Sequence, residues 1–428
     1  MSAGRPVFGL ALLLGIFGCS APGPGGKGGA ARGEDSSAAG PPDGSADSAA
    51  DSAADEALLR RAILGEVDAH DALLTISQRG GFPIEAADGG FLVACLCGDG
   101  DFAVAGDHDG WAGAPMTDTG AVWWAALSAP APDGSRYKLH DQRQGPEAGW
   151  FADPWARRVN FDENGELSLL RASAAHIDRY FEVQAAGLAP RTARLWVPEG
   201  GAFTHALYAH DGQNLFDPGA MWGGWRLQDS LPDGVLVVAI DNSPARMDEY
   251  TPWPDTIDGV VMGGEADKTA ALVRELRGFV EARYGAAGAV GLMGSSLGGL
   301  VSVYQGLAEP DDWGMAISLS GTMGWGSIGG DGPSLIAEAA VLPHLPIAVY
   351  LDSGGGGPCA DTDGDGLQDD DPASSDNYCE GRQLADTLAS RGWTYGLDLM
   401  HWHEPGAPHN EAAWAERVWR PLEAFVAR

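Results

Sequence analysis

Positive charge is what this chain has least of: 26 Lys and Arg stand against 60 Asp and Glu, a formal net charge of −34 over 428 residues. That balance leaves no basic face to neutralise phosphates, which argues against nucleic acid as a partner. It argues equally against docking by charge on anionic lipid heads; acids in such excess are scattered over a solvated surface. Long apolar runs are missing too. The stretch from Val7 to Phe17 is too short to cross a bilayer as a helix. Cysteine is sparse, at five residues, and no segment repeats itself along the chain.

The N-terminal stretch has the layout of an export signal: Arg5, the apolar run, then Ile16-Phe17-Gly18-Cys19. The last four residues resemble the lipobox of bacterial lipoproteins. That resemblance implies a signal peptide over 1–19, a lipid on Cys19, and an exported, extracytoplasmic protein held to a membrane by the lipid. Residues 20–54 are Gly, Ala, Pro, Ser and Asp with almost no large apolar side chain, a composition that cannot offset its ordering entropy and reads as a flexible tether. Setting Cys19 aside leaves Cys95, Cys97, Cys359 and Cys379, an even number that suggests disulfides with three connectivities open. Cys359–Cys379 is favoured because it closes an acidic loop.

Three textures follow. Residues 55–90 carry apolar side chains at helical spacing (Leu58, Leu59, Ala62, Ile63, Val67, Leu73, Leu74) and read as a helical lead-in. Residues 91–175 are short alternating runs such as Phe91 to Cys95 and Phe102 to Gly106, punctuated by Gly, Asp and Pro, the pattern of a small antiparallel β-sandwich. Residues 176–428 alternate continuously apolar strands, such as Val235 to Ile240, with helical segments, such as Asp267 to Tyr284. The expected fold class is therefore α/β: a mostly parallel sheet with helices on both faces, preceded by the sandwich.

Gly294-Ser295-Ser296-Leu297-Gly298 fits G-x-S-x-G, a weak match by itself in a chain with 63 glycines. Its context strengthens it: an apolar strand, Ala289 to Met293, leads in and a helical run from Leu297 leads out. A strand–serine–helix turn is tight enough to demand tiny neighbours, and it thrusts the hydroxyl above the sheet. Ser296 is the expected nucleophile, and the N–H of Leu297, at the helix start, faces where an oxyanion would form. A serine needs a base. His409 lies in a loop just before the closing helix, where the order Ser, acid, His places it. His401 and His403 alternate on the strand before it.

On these residues the second half resembles the putative-esterase family of α/β-hydrolases, which takes in enterochelin esterases, feruloyl esterases and the esterase D group. The matching segments are Tyr208 to Asp217, Arg246 with Glu249 to Pro252, the serine turn, and Gly406 to Trp414. The resemblance implies a second oxyanion N–H from Gly212 or Gln213. It places the triad acid after the strand Ile347 to Leu351, where an insertion over 355–375 leaves two candidates. Asp376, just before the next helix, is preferred; Asp352, at the strand end, is the alternative. Arg246 and Glu249 are read as a structural ion pair, and Trp222 and Trp225 as an aromatic wall or as core.

Within the insertion, Asp361, Asp363, Asp365 and Asp369 alternate around Gly366, a spacing that resembles the calcium loops of thrombospondin type 3 repeats and makes them candidate ligands of a structural calcium. The sandwich resembles the early-set, glycogen-binding-like domain that precedes enterochelin-esterase-type enzymes, on Ala105 to Trp111, Tyr137 to Leu139 and Ala152 to Pro154. The expectation is a serine carboxylic-ester hydrolase that needs no cofactor for catalysis. Its substrate would be a siderophore lactone, a feruloyl or acetyl glycan ester, or a small acyl ester. An acyltransferase with the same triad and a non-catalytic glycan-binding lipoprotein are the rival readings.

Overall fold

A computed structural model describes residues 49–428 apart from 129, 130, 186, 331 and 363. The signal-like segment, Cys19 and most of the tether lie outside the described residues. Among those described, no helix is long and apolar enough to cross a membrane.

From His176 onward eight strands build one sheet. They are β1 (His176–Val183), β2 (Arg191–Val197), β3 (His205–His210), β4 (Val235–Ile240), β5 (Ala289–Ser295), β6 (Met315–Leu319), β7 (Ala348–Ser353) and β8 (Leu399–His403). Across the sheet they run β1-β2-β4-β3-β5-β6-β7-β8. The first two neighbour antiparallel, β2 meets β4 antiparallel, and every pairing from β4 to β8 is parallel.

Alternation along each strand divides the core in two. Tyr208, Leu236, Val238 and Leu292 face one layer with Leu276 and Val280 of the helix Ala266–Tyr284 and Leu384 and Leu388 of the helix Tyr378–Ser390. Leu207, Val235, Val237 and Met293 face the other, against Trp414, Val418, Leu422 and Phe425 of the two closing helices. Strands apolar on both faces must be covered on both, which is why their sequences read as unbroken apolar runs. The expected α/β class with helices on both faces is the architecture found.

The sandwich differs from expectation in one respect: it does not stand apart. Ile84–Glu85, Phe91–Cys95, Trp123–Leu127 and Thr117–Asp118 form a four-stranded sheet of their own. The facing layer, including Phe102–Gly106, Arg136–Asp141, Arg158–Asp162 and Gly165–Leu169, continues the main sheet, because β1 pairs its Ile177 with Val159. One sheet of 14 strands results. An exposed edge at β1 would offer unpaired N–H and C=O groups, and the added strands close it.

The lead-in also starts earlier than expected. The helix Ala49–Ile63 begins inside the stretch read as tether, in an alanine-rich segment of high helix propensity. Its Asp55 is buried and paired with Arg79. Leu59, with Leu73 and Ile76 of the helix Ala69–Gln78, packs into the sandwich core. Buried arginines pin the parts together: Arg157 donates to the carbonyl oxygens of Ser77 and Arg179, and Arg179 donates to those of Asp153 (2.7 Å) and Ala156 (3.1 Å).

Candidate active site

Ser296 directly follows β5 and caps the helix Leu297–Ala308, with φ 54° and ψ −126°. A non-glycine residue at positive φ stores roughly 1–3 kcal/mol and persists only where its surroundings enforce it. Here they do. A Cβ on Gly294 would lie 2.4 Å from backbone atoms of Gly298, and one on Gly299 would lie 2.3 Å from Ser318 Oγ. The Ser296 hydroxyl is buried and makes no hydrogen bond to any described residue. Leu297 is the first residue of its helix, so its N–H has no acceptor within the helix and is directed at the same end.

His409 lies in the loop between β8 and the helix Glu411–Arg417. Its Nδ1 is 2.6 Å from Asp376 Oδ1. A carboxylate only accepts, so Nδ1 carries the proton toward Asp376 and Nε2 is the nitrogen left as a base. Trp414 packs edge-on against the imidazole, with ring centroids 5.1 Å apart.

Of the two candidate acids, Asp376 is the one joined to His409. Its Oδ2 accepts from Ser320 Oγ (2.7 Å), from the N–H of Gly354 and from Arg417 (3.3 Å). Asp352 is buried elsewhere in the same network, accepting from Arg417 Nε (2.9 Å) and the Tyr350 hydroxyl (3.4 Å). Burial pushes the Asp352 carboxyl up to about 6. Ser320 Oγ also accepts from Trp414 Nε1 (2.9 Å) and Arg417 (2.7 Å), so its proton is directed at Asp376.

The insertion reaches this acid directly. Asp370 accepts from the backbone N–H of Asp376 (2.8 Å), Tyr378 (3.1 Å) and Cys379 (2.7 Å), capping the helix Tyr378–Ser390 just beyond the acid. Cys359 and Cys379 are disulfide-bonded as favoured, and Cys95 with Cys97. The expected calcium ligands Asp361, Asp365 and Asp369 lie on this loop and make hydrogen bonds within it. Asp361 accepts from the N–H of Gly364 (2.6 Å) and Gly366 (3.2 Å), Asp365 from Leu367 (2.8 Å), and Asp369 from Thr362 (2.8 Å). Their oxygens serve the loop's own amides, and among the described residues no three acidic, His or Cys side chains converge to hold a metal. Asp363 lies outside the described residues.

On the opposite side of the serine, Gly212 and Gln213 open a 3-10 turn, Gly212–Asn214, right after β3. Only glycine fits at 212, since a Cβ there would lie 2.7 Å from the Ala239 backbone. The turn abuts the serine elbow: a Cβ on Gly298 would stand 3.0 Å from Asp211 Oδ2. Asp211, at φ 60°, is clamped by Arg246 through two 2.8 Å bonds and by Asn242 (2.6 Å). Asn242 N–H in turn donates to Gln213 Oε1 (3.1 Å). The expected Arg246–Glu249 pair is therefore corrected: Arg246 holds Asp211, while Glu249 is bound bidentate by Arg191 (2.9 and 3.0 Å).

Several residues of the site make contacts that the sequence motifs do not assign: Asp211, Asn214, Ser320, Asp370, Glu411 and Arg417. Glu411 accepts from Asn214 Nδ2 (3.1 Å) and so ties the Gly212 turn to the His409 loop, its carboxyl raised by burial. Arg417 carried a usable signal, a charge on the same helical face as Trp414 and Val418. The two tryptophans separate: Trp225 is core, packed against Trp414, whereas Trp222 is 67% exposed.

A parallel sheet covered on both faces, with a strained serine on the strand-to-helix turn and a His–Asp pair on later loops, defines an α/β-hydrolase. The chain belongs to the putative esterase family, whose sequence profile matches residues 189–423, and it is an ester hydrolase. No curated protein matches its sequence. Among solved structures it is similar to an enterobactin esterase of Shigella flexneri, at 14% identity over 79% of this chain and 93% of that one (TM-score 0.43). It is similar to the ferric enterobactin esterase of Salmonella typhimurium, at 16% over 80% and 95% (0.41). An IroE-like serine hydrolase of Shewanella oneidensis follows, at 18% over 58% and 78% (0.44).

Proposed function

We propose that the chain hydrolyses carboxylic esters through an acyl-enzyme formed on Ser296, outside the cytoplasm. The observation that carries this reading is the 2.6 Å His409–Asp376 hydrogen bond on the loops beside the serine elbow. Ser296 Oγ attacks the ester carbonyl as His409 Nε2 takes its proton. The tetrahedral oxyanion is met by the N–H of Leu297 and by an N–H of the Gly212–Gln213 turn. The C–O bond then breaks, and His409 returns the proton to the departing alcohol. Water, deprotonated by His409, attacks the acyl carbon and releases the acid and Ser296. Asp376 fixes the imidazole tautomer and stabilises the imidazolium.

The substrate class is an ester on a small molecule or a glycan: a siderophore lactone, a feruloyl or acetyl ester, or a short acyl ester. Anchoring by a lipid on Cys19 follows from the lipobox-like segment, and two disulfides suit an oxidising compartment. Hydrolysis of p-nitrophenyl acetate tests the mechanism: a pre-steady-state burst equal to the enzyme concentration, absent in Ser296→Ala, is expected. Equal turnover in that variant would remove Ser296 from the chemistry. Incorporation of labelled palmitate that disappears in Cys19→Ala tests the anchor.

A further inference from the structure

A cavity of about 350 Å3 opens at the free edge of the sheet, between β8 and the helix Trp419–Val426. Tyr350, Tyr395, Met400, His401, Trp402 and Arg420 wall it; none of them belongs to the serine, histidine or oxyanion groups described above. Its centre of charge is Arg420. The guanidinium lies 3.6 Å from the ring centre of Trp402 and 4.4 Å from that of Trp419.

In a chain with 60 acidic and 26 basic residues, carboxylates are abundant, yet this guanidinium is given to two indoles. Stacking occupies its π-face and leaves the in-plane N–H groups to a planar acceptor. Arg420 Nε is buried without a hydrogen-bond partner among the described residues. Buried polar atoms left unmatched are costly unless something else meets them. Trp402 and Tyr395 remain partly open to solvent, 37% and 50% exposed, as apolar walls a flat ligand could lie on.

We propose that this cavity is a second ligand site, for a small carboxylate carried on a flat, aromatic body. The carboxylate takes the guanidinium edge of Arg420 and the body rests on Trp402. A charge-assisted bidentate contact supplies the specificity for a planar anion over a neutral analogue.

Benzoate is the probe, titrated calorimetrically into the full chain, with benzamide as the neutral control. Wild type binds benzoate saturably, one per chain, and benzamide far more weakly. Arg420→Gln weakens benzoate about tenfold or more, the scale of one lost charge-assisted contact. Trp402→Leu weakens both probes. Ser296→Ala leaves benzoate binding unchanged, which separates this site from acid held at the serine. Unaltered p-nitrophenyl acetate hydrolysis in the Arg420 and Trp402 variants certifies that they fold. Benzoate binding that is absent in wild type, unchanged in Arg420→Gln, or abolished in Ser296→Ala overturns the proposal. None of these readings depends on how the ester is cleaved.

Discussion

Arg417 holds both buried aspartates of the site, donating from Nε to Asp352 at 2.9 Å and from its terminal nitrogen to Asp376 at 3.3 Å. Only Asp376 goes on to His409. The two acids are thereby given different work by one guanidinium, and their replacement should separate.

Asp376→Asn removes the carboxylate that orients the imidazole and should lower kcat by roughly 10⁴-fold, the scale seen when a triad acid is made neutral. Asp352→Asn should leave kcat near that of wild type but lower the thermal midpoint, because it strips Arg417 of its closer carboxylate partner. Steady-state kinetics and thermal melts on both variants decide it; a larger loss of kcat in Asp352→Asn would reverse the assignment.

Asp370 makes the insertion part of the site. Asp370→Ala deletes a cap worth about 1 kcal/mol and loosens the turn that presents Asp376. The expected result is a fall in kcat with KM little changed, partly restored by Asp370→Asn, whose amide oxygen still accepts. A variant that alters only the melting temperature would make the cap purely structural.

The Asp211–Arg246 pair shapes the turn that carries Gly212 and Gln213. Removing one partner of a buried ion pair strands the other, at a cost of about 3–5 kcal/mol. Arg246→Ala should therefore lose that much stability in urea unfolding, and Asp211→Ala combined with Arg246→Ala should lose less than the sum of the two single changes.

Glu380 gives stability a pH dependence. Burial, and the nearby carboxylates of Asp370, Asp365 and Asp369, push its carboxyl up to about 7, although it accepts from the Gly324 N–H at 2.8 Å. Its folded pKa lies above the unfolded one, so its favourable contribution is complete below the usual carboxylate range and is lost as pH rises through about 7. Unfolding free energy measured from pH 5 to 8 should fall for this reason, and the fall should be shallower in Glu380→Gln. Parallel slopes for the two proteins would exclude Glu380 as the cause.

What could be read in advance was whatever the chain expresses locally. Gly294 to Gly298 announced the elbow because the turn's crowding acts between neighbours in sequence. His409 stands out by its place before the closing helix and Asp376 by its place before the helix Tyr378–Ser390, and the structure joins the two by a hydrogen bond. The missed features are made by distant partners. Arg191 meets Glu249 58 residues away, so the nearer Arg246 was the natural but incorrect choice. The fusion of the sandwich with the main sheet rests on Ile177 meeting Val159 at an edge no periodicity reveals. The acidic insertion has a metal-like spacing, but spacing alone does not give the contacts its carboxylates make with the loop's own amides, such as those of Gly364 and Gly366 with Asp361.

The most direct test of the central claim is labelling of the purified chain with a fluorophosphonate, followed by peptide mapping. The account predicts a single phosphonylated serine at Ser296, no label in Ser296→Ala and a collapse of labelling in His409→Ala. A folded wild-type protein that takes no label, or label that persists in Ser296→Ala, would contradict it.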